Sequence, residues 1–304
     1  CRRSPPSQDT RFELEVVPMC FDQKSSFGFA LFGLLVSIWI YTRTENVKLA
    51  MGVFFFFTME LLQGFQYFVI ADNFHDDRLC GSTINQLLTM LGFLHICLQP
   101  YFCHVINASL TRSERYLQQY KVVLRLSLIA GFWLFSRFLV AHFGWSWKTM
   151  MMTNTMDVGF PAGAETGRST EWLRGEKLCT FNGKYHLAWS VPMADPSYFM
   201  PSAQIHAFMM FAPFVAMWEK RGMLIQGSFL LLTGPVMAAA ITPNLMEQAS
   251  IWCFFSIMQV CVMLILIRET IVVNWGTNSS RASLFAKKPE LQAAQAAKEK
   301  KRSQ

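Results

Sequence analysis

Charge is scarce in this sequence. Only 15% of its 304 residues are Asp, Glu, Lys or Arg, where a soluble domain carries roughly 25%. A chain this poor in charge and 52% hydrophobic is not built to meet water on every side. Familiar chemistry is missing too. No Walker A motif, dinucleotide-binding glycine fingerprint or HExxH occurs. No two of the six histidines stand four residues apart, and there is no CxxC or Cys/His zinc-ribbon spacing, so the common zinc patterns are absent. The last apolar segment, 249–267, holds no lysine, which excludes a retinal Schiff base there. No aromatic-interleaved basic groove accompanies the formal net charge of +7, so nucleic acid is not an expected partner.

What the chain has is apolar length. A membrane-spanning helix needs about 20 mostly apolar residues. Seven segments are candidates: 27–41, which is short, 49–70 with its run Phe54 to Phe57, 84–106, 122–143, 203–218, 224–241 and 249–267. The expected fold class is all-α, a polytopic membrane bundle of seven transmembrane helices. Residues 1–26 read as a polar N-terminal extension, 144–201 as a long outer loop with an ordered second half, and 268–304 as a basic C-terminal tail. Residues 1–18 contain no apolar run of the signal-peptide kind.

Loop charge tests the count independently, because positive residues favour the cytosolic side. With seven spans, one side carries Arg43, Lys48, Arg112, Arg115, Lys121, Lys220 and Arg221. The short loops of the other side carry only Arg78. The N-terminus is therefore expected outside or luminal, and the C-terminus cytosolic. The tail residues Arg281, Lys287, Lys288, Lys298, Lys300, Lys301 and Arg302 suit anionic lipid headgroups. The sequons at Asn107 and Asn278 fall on the inner side and are expected to stay unmodified.

Of the eight cysteines, Cys97, Cys103, Cys253 and Cys261 lie in apolar segments and read as packing residues. Cys1, Cys20, Cys80 and Cys179 fall on the expected outer side, where a disulfide is plausible. Cys80 with Cys179 is the first choice. Cys20 with either is an alternative, since sequence does not fix connectivity.

Ionisable groups inside a membrane are costly and mark functional sites. Glu60 lies mid-way along the second segment and His95 mid-way along the third. Gln63 is three residues from Glu60 and Gln99 four from His95, so each pair shares a helix face. The four form a candidate ligand-binding site or proton relay; the alternative is a buried hydrogen-bonded clamp between helices. Pro100 is expected to bend the third helix beside this stripe. Arg137 needs a partner or an interfacial exit. His206 reads as a core histidine, and Glu247, before the seventh helix, as its cap.

Several strings occur together in order. They are Met19-Cys20, Met59-Glu60-Leu61-Leu62-Gln63, Leu94-His95-Ile96-Cys97-Leu98-Gln99-Pro100 and Leu178-Cys179. His186-Leu187-Ala188-Trp189-Ser190-Val191-Pro192 follows, then Glu247 with Ile251-Trp252-Cys253-Phe254-Phe255-Ser256. This ordered set resembles a family of uncharacterised multi-pass membrane proteins, a domain of unknown function in bacteria, algae and large viruses. The resemblance covers about residues 19–262. It implies that residues 1–18 are an extension and that the tail after about Ile267 lies outside the family's part. It also implies that Glu60, His95, Gln99, His186, Trp189 and Glu247 belong to one constellation. It implies no activity, substrate, metal or cofactor.

Three functions compete. The first is binding or movement of a small solute, proton or ligand at a Glu60/His95 site, with His186, Trp189 and Glu247 in a loop closing over it as a lid. The second is an accessory or structural subunit of a larger membrane complex. The third is a membrane-embedded metal-dependent enzyme, which requires at least three convergent ligands.

Overall fold

A computed structural model describes residues 23–44, 46–111, 114–143, 171–194, 201–217 and 221–266. It is mostly helical. In chain order the elements are α1 (Gln23–Thr44), α2 (Val47–Gln66), α3 (Asp77–Cys80), α4 (Thr83–Leu110), α5 (Glu114–His142), β1 (Cys179–Asn182), β2 (Leu187–Ser190), α6 (Gln204–Ala216), α7 (Arg221–Leu231), α8 (Met237–Ile241) and α9 (Gln248–Leu266). A π-helical turn, Leu232–Val236, joins α7 to α8.

Among the described residues, six helices are long and apolar enough to cross a membrane: α1, α2, α4, α5, the continuous α7–α8 and α9. The segment expected as the fifth span is the exception. Its helix α6 has 13 residues, about 20 Å at about 1.5 Å per residue, short of the about 30 Å of hydrocarbon. Large apolar side chains face outward on the long helices, among them Leu35, Ile38, Ile84, Ile129, Phe132 and Ile225. Such an exterior is compatible with a lipid surround.

The all-α expectation needs one amendment. The second half of the long loop forms an antiparallel hairpin in which Cys179 faces Ser190 and Asn182 faces Leu187. The hairpin lies over one end of the bundle. It meets the start of α4 through Asn85 and Thr89, the end of α2 through Gln66, and the start of α9 through Ser250. The end of α5 reaches this region through Arg137. At the opposite end, Asn46 before α2 bonds the Ser109 carbonyl late in α4 at 3.2 Å. There Gln226 of α7 also bonds Asn107 at 2.8 Å. So α5 finishes at the hairpin end, α7 starts at the opposite end, and α6 is the element between them.

Proline explains much of the packing. Pro213 in α6 cannot donate to the Met209 carbonyl one turn back. His104 of α4 supplies the missing bond, with Nε2 at 2.9 Å from that oxygen. Pro100 likewise frees the Ile96 carbonyl in α4, and His206 of α6 lies near it, but neither ring nitrogen of His206 makes a hydrogen bond. At Pro235 the helix widens into the π turn, and Gln259 of α9 donates to the Leu230 carbonyl at 3.1 Å. Side chains from neighbouring helices thus repair broken ladders, as backbone buried away from water requires. Close approach also matters: a Cβ on Gly131 of α5 would stand 2.4 Å from the Cys97 carbonyl oxygen of α4. Asn107, one of the two sequon asparagines, is buried inside α4; Asn278 lies outside the described residues, as do Cys1, Cys20 and the basic tail.

Candidate functional site

Glu60, Gln63 and Gln66 recur at three-residue intervals along α2 and all three are buried. At about 1.5 Å per residue they span about 9 Å of helix, from near its middle to its hairpin end. The top rung is matched. Gln66 Oε1 accepts from the Trp189 indole at 3.1 Å, and Gln66 Nε2 donates to the Leu88 carbonyl at 3.0 Å.

The lower rungs are not matched. The Ser26 hydroxyl of α1 hydrogen-bonds the Glu60 side chain, but Glu60 Oε1 meets no protein partner. Neither amide atom of Gln63 has one either, although Gln63 is wholly buried. Beside them, Gln99 Nε2 of α4 lies 3.2 Å from Cys253 Sγ of α9, and Cys253 is within Coulombic range of Glu60. Buried polar atoms are nearly always partnered, so three unpartnered atoms on one helix face single out this place in the interior.

His95 does not join this group by a direct bond. Its ring stacks on Phe55, with centroids 3.9 Å apart and planes 4° apart. Its Nε2 lies 2.7 Å from the Phe55 carbonyl oxygen, so that nitrogen carries the proton. The second ring nitrogen, Nδ1, is buried with no partner. Phe55 is five residues before Glu60 in the sequence, about 7.5 Å along the helix. Among the described residues, no hydrogen bond or ion pair joins Glu60 to His95.

The hairpin closes over the ladder. Trp189 is buried among Met59, Phe93, Ile96 and Cys253, and its backbone N–H bonds the Met246 carbonyl at 3.0 Å. Asn85 is fully used: its amide nitrogen donates to the carbonyls of Val69 and Thr180, both at 2.8 Å, and its oxygen accepts from Thr180 N–H. The disulfide between Cys80 and Cys179 ties β1 to the end of α3. An exposed ion pair from Lys177 to Asp77 runs alongside, and that ammonium holds the Asp77 carboxyl below its usual value.

Glu247 and His186 serve the hairpin turn. The Glu247 carboxylate does not cap α9, as sequence suggested. It accepts from the backbone N–H groups of Tyr185 and His186 and from Thr242 Oγ1. Only glycine fits at 183, because a Cβ there would stand 2.4 Å from the His186 carbonyl oxygen and 2.5 Å from Glu247 Oε1. His186 lies 3.1 Å from the Tyr67 hydroxyl, and burial lowers its pKa to about 3, which keeps it neutral. Arg137 also finds its partner: a bidentate pair with Glu171, completed by the Ala194 and Pro201 carbonyls.

So Glu60 and Gln63 share one face of α2, Gln99 approaches them through Cys253, His95 lies about a turn and a half away, and Trp189, His186 and Glu247 lie in or against the hairpin. Sequence missed Gln66, although it continues the Glu60–Gln63 spacing. It gave no signal for Ser26. Among the described residues, no cluster of three or more His, Cys, Asp or Glu is placed to hold a metal ion.

Comparison with known proteins bears on most of this chain. Residues 24–272 match a family described as "Family of unknown function (DUF5765)". An uncharacterized protein of Acanthamoeba polyphaga mimivirus is similar, at 26% identity over 207 residues, covering 67% of this chain and 76% of that protein. No solved structure matches.

Proposed function

The chain belongs to the family of unknown function DUF5765, and we propose that it is a membrane protein binding a small polar solute, or a proton carried on water, at Glu60 and Gln63. The observation that carries this reading is the set of three buried, unmatched polar atoms on α2. Leaving a buried polar atom unmatched costs about 1–3 kcal/mol. A bound water or solute that hydrogen-bonds all three relieves that cost.

Seven crossings belong to this proposal. Six helices have the length, and α6 links an α5 that ends at the hairpin to an α7 that begins opposite. The hairpin side is outside or luminal, which accords with its disulfide and with positive loops on the other face. In this orientation the basic tail faces the cytosol, where anionic headgroups attract it. Trp189 and Gln66 form the ceiling of the site.

One observation favours a second reading, a packed subunit of a larger membrane complex. Asn85, Gln66, Glu247 and Arg137 all spend their polar groups holding elements together.

Carbodiimide labelling of the intact protein in liposomes tests the binding reading. Glu60 in the wild type is expected to react slowly, Trp189→Ala to speed that reaction by removing the ceiling, and Glu60→Gln to abolish it. Equal labelling of Glu60 with and without the indole would count against a site reached from the hairpin side.

A further inference from the structure

A cavity of about 50 Å³ lies in the half of the bundle away from the hairpin, between α2, α4, α6, α7 and α9. It shares no lining residue with the Glu60–Gln63 site. Its walls are overwhelmingly apolar and include no charged or histidine side chain. Four polar residues line it: Asn107, Gln226, Ser256 and Gln259. Three have duties within the protein. Ser256 Oγ donates to the Trp252 carbonyl at 3.0 Å, Gln259 Nε2 donates to Leu230 and Thr233, and Gln226 Nε2 donates to Asn107 Oδ1 at 2.8 Å. Asn107 is left with its amide nitrogen buried and no acceptor, though the residue is only 6% exposed.

That combination defines a guest. An orphaned N–H donor calls for an acceptor oxygen. Walls without charge cannot compensate an ionic head in a site shielded from water. The apolar lining asks for methylenes. The α7–α8 helix beside the cavity turns Ile225, Leu232 and Val236 outward, so the site borders the surface that carries the apolar exterior.

We propose that this cavity binds the acyl-ester portion of a neutral lipid, with an ester carbonyl oxygen accepting from Asn107 Nδ2 and the adjoining methylenes packed along Val53, Ile106 and Leu264. The inference does not depend on the Glu60–Gln63 reading, since neither its residues nor its ligand chemistry are shared. It extends the protein from one polar site to a second, lipid-selective one.

The test uses the full chain in nanodiscs doped with a diacylglycerol carrying a photoreactive diazirine near the ester, or with phosphatidic acid carrying the same diazirine. Crosslinked peptides are mapped by mass spectrometry. The diacylglycerol probe is expected to label the α4 and α9 segments around Asn107 and Val260. The double variant Asn107→Leu/Gln226→Leu, which removes the orphaned donor together with the Gln226 amide that Asn107 Oδ1 now satisfies, is expected to reduce that labelling about fivefold to tenfold, the effect of one neutral hydrogen bond. Val260→Phe fills the cavity with the donor intact, and is expected to remove the labelling while the protein keeps its melting temperature. Labelling that persists unchanged in Val260→Phe overturns the proposal. So does equal labelling by the phosphatidic acid probe, or labelling confined to the outward faces of α1 and α5.

Discussion

Replacing Glu247 by alanine should loosen the hairpin without unfolding the bundle. The carboxylate is fully buried and accepts from Tyr185 N–H, from His186 N–H at 2.7 Å and from Thr242 Oγ1 at 2.9 Å. Hydrogen bonds to a charged group contribute about 1.5–3 kcal/mol each, and a buried N–H left without an acceptor costs about 1–3 kcal/mol. These effects do not add in full, and removing a buried charge relieves some desolvation. A net local loss of about 3 kcal/mol is expected. The loss stays local because Asn85, Thr89 and the disulfide still hold β1. At about 1.4 kcal/mol per tenfold, amide hydrogen exchange across residues 183–190 should quicken about 100-fold, with α4 protected as before. Glu247→Gln keeps one acceptor oxygen and should fall between. Exchange within about threefold of wild type over residues 183–190 would refute the clasp assigned to this carboxylate.

Three further outcomes are expected. Arg137→Met should destabilise the protein by about 3 kcal/mol by removing the bidentate partner of the Glu171 carboxylate, which keeps only the Ala203 N–H and the more distant Arg174, and the double variant Arg137→Met/Glu171→Met should recover part of that loss; reversible unfolding in mixed micelles reads both. The folded-state pKa of His186 is about 3, below the about 6.5 of an unfolded chain. Between those values the unfolded state binds more protons, so stability is complete above about pH 6.5 and falls as pH drops toward 3; His186→Gln should flatten that profile. Cys80→Ser/Cys179→Ser should lower stability by about 2–5 kcal/mol, and non-reducing peptide maps of the wild type should show the Cys80–Cys179 crosslink.

Much of the helical plan was legible because about 20-residue apolar runs have few other uses. The six long helices overlap segments read from sequence, and the extra turns at Gln23–Ser26 and Glu114–Lys121 lay in polar stretches that hydropathy ignores. The hairpin was not legible as strands. Its two strands have four residues each, too short for alternation to stand out. The roles of His104 and Gln259 were hidden too, since each answers a proline on a different helix. Glu60, Gln63 and Gln99 stood out as polar residues in apolar runs, and all three are buried. The expected Glu60–His95 contact was a matter of depth alone, and depth does not fix which way a ring points. His95 turned to the Phe55 ring and carbonyl instead.

The central claim, that Glu60 lies in a site holding water or a polar guest, is tested most directly by infrared difference spectroscopy of the intact protein in lipid. The Glu60 carboxyl band is identified by its loss in Glu60→Gln and followed through transfer from H2O to D2O. The account predicts that the band shifts within minutes, because water reaches the unmatched oxygen. A band that stays unshifted for hours, while the Gln variant is at least as stable as the wild type, would contradict it and leave a dry clamp between helices.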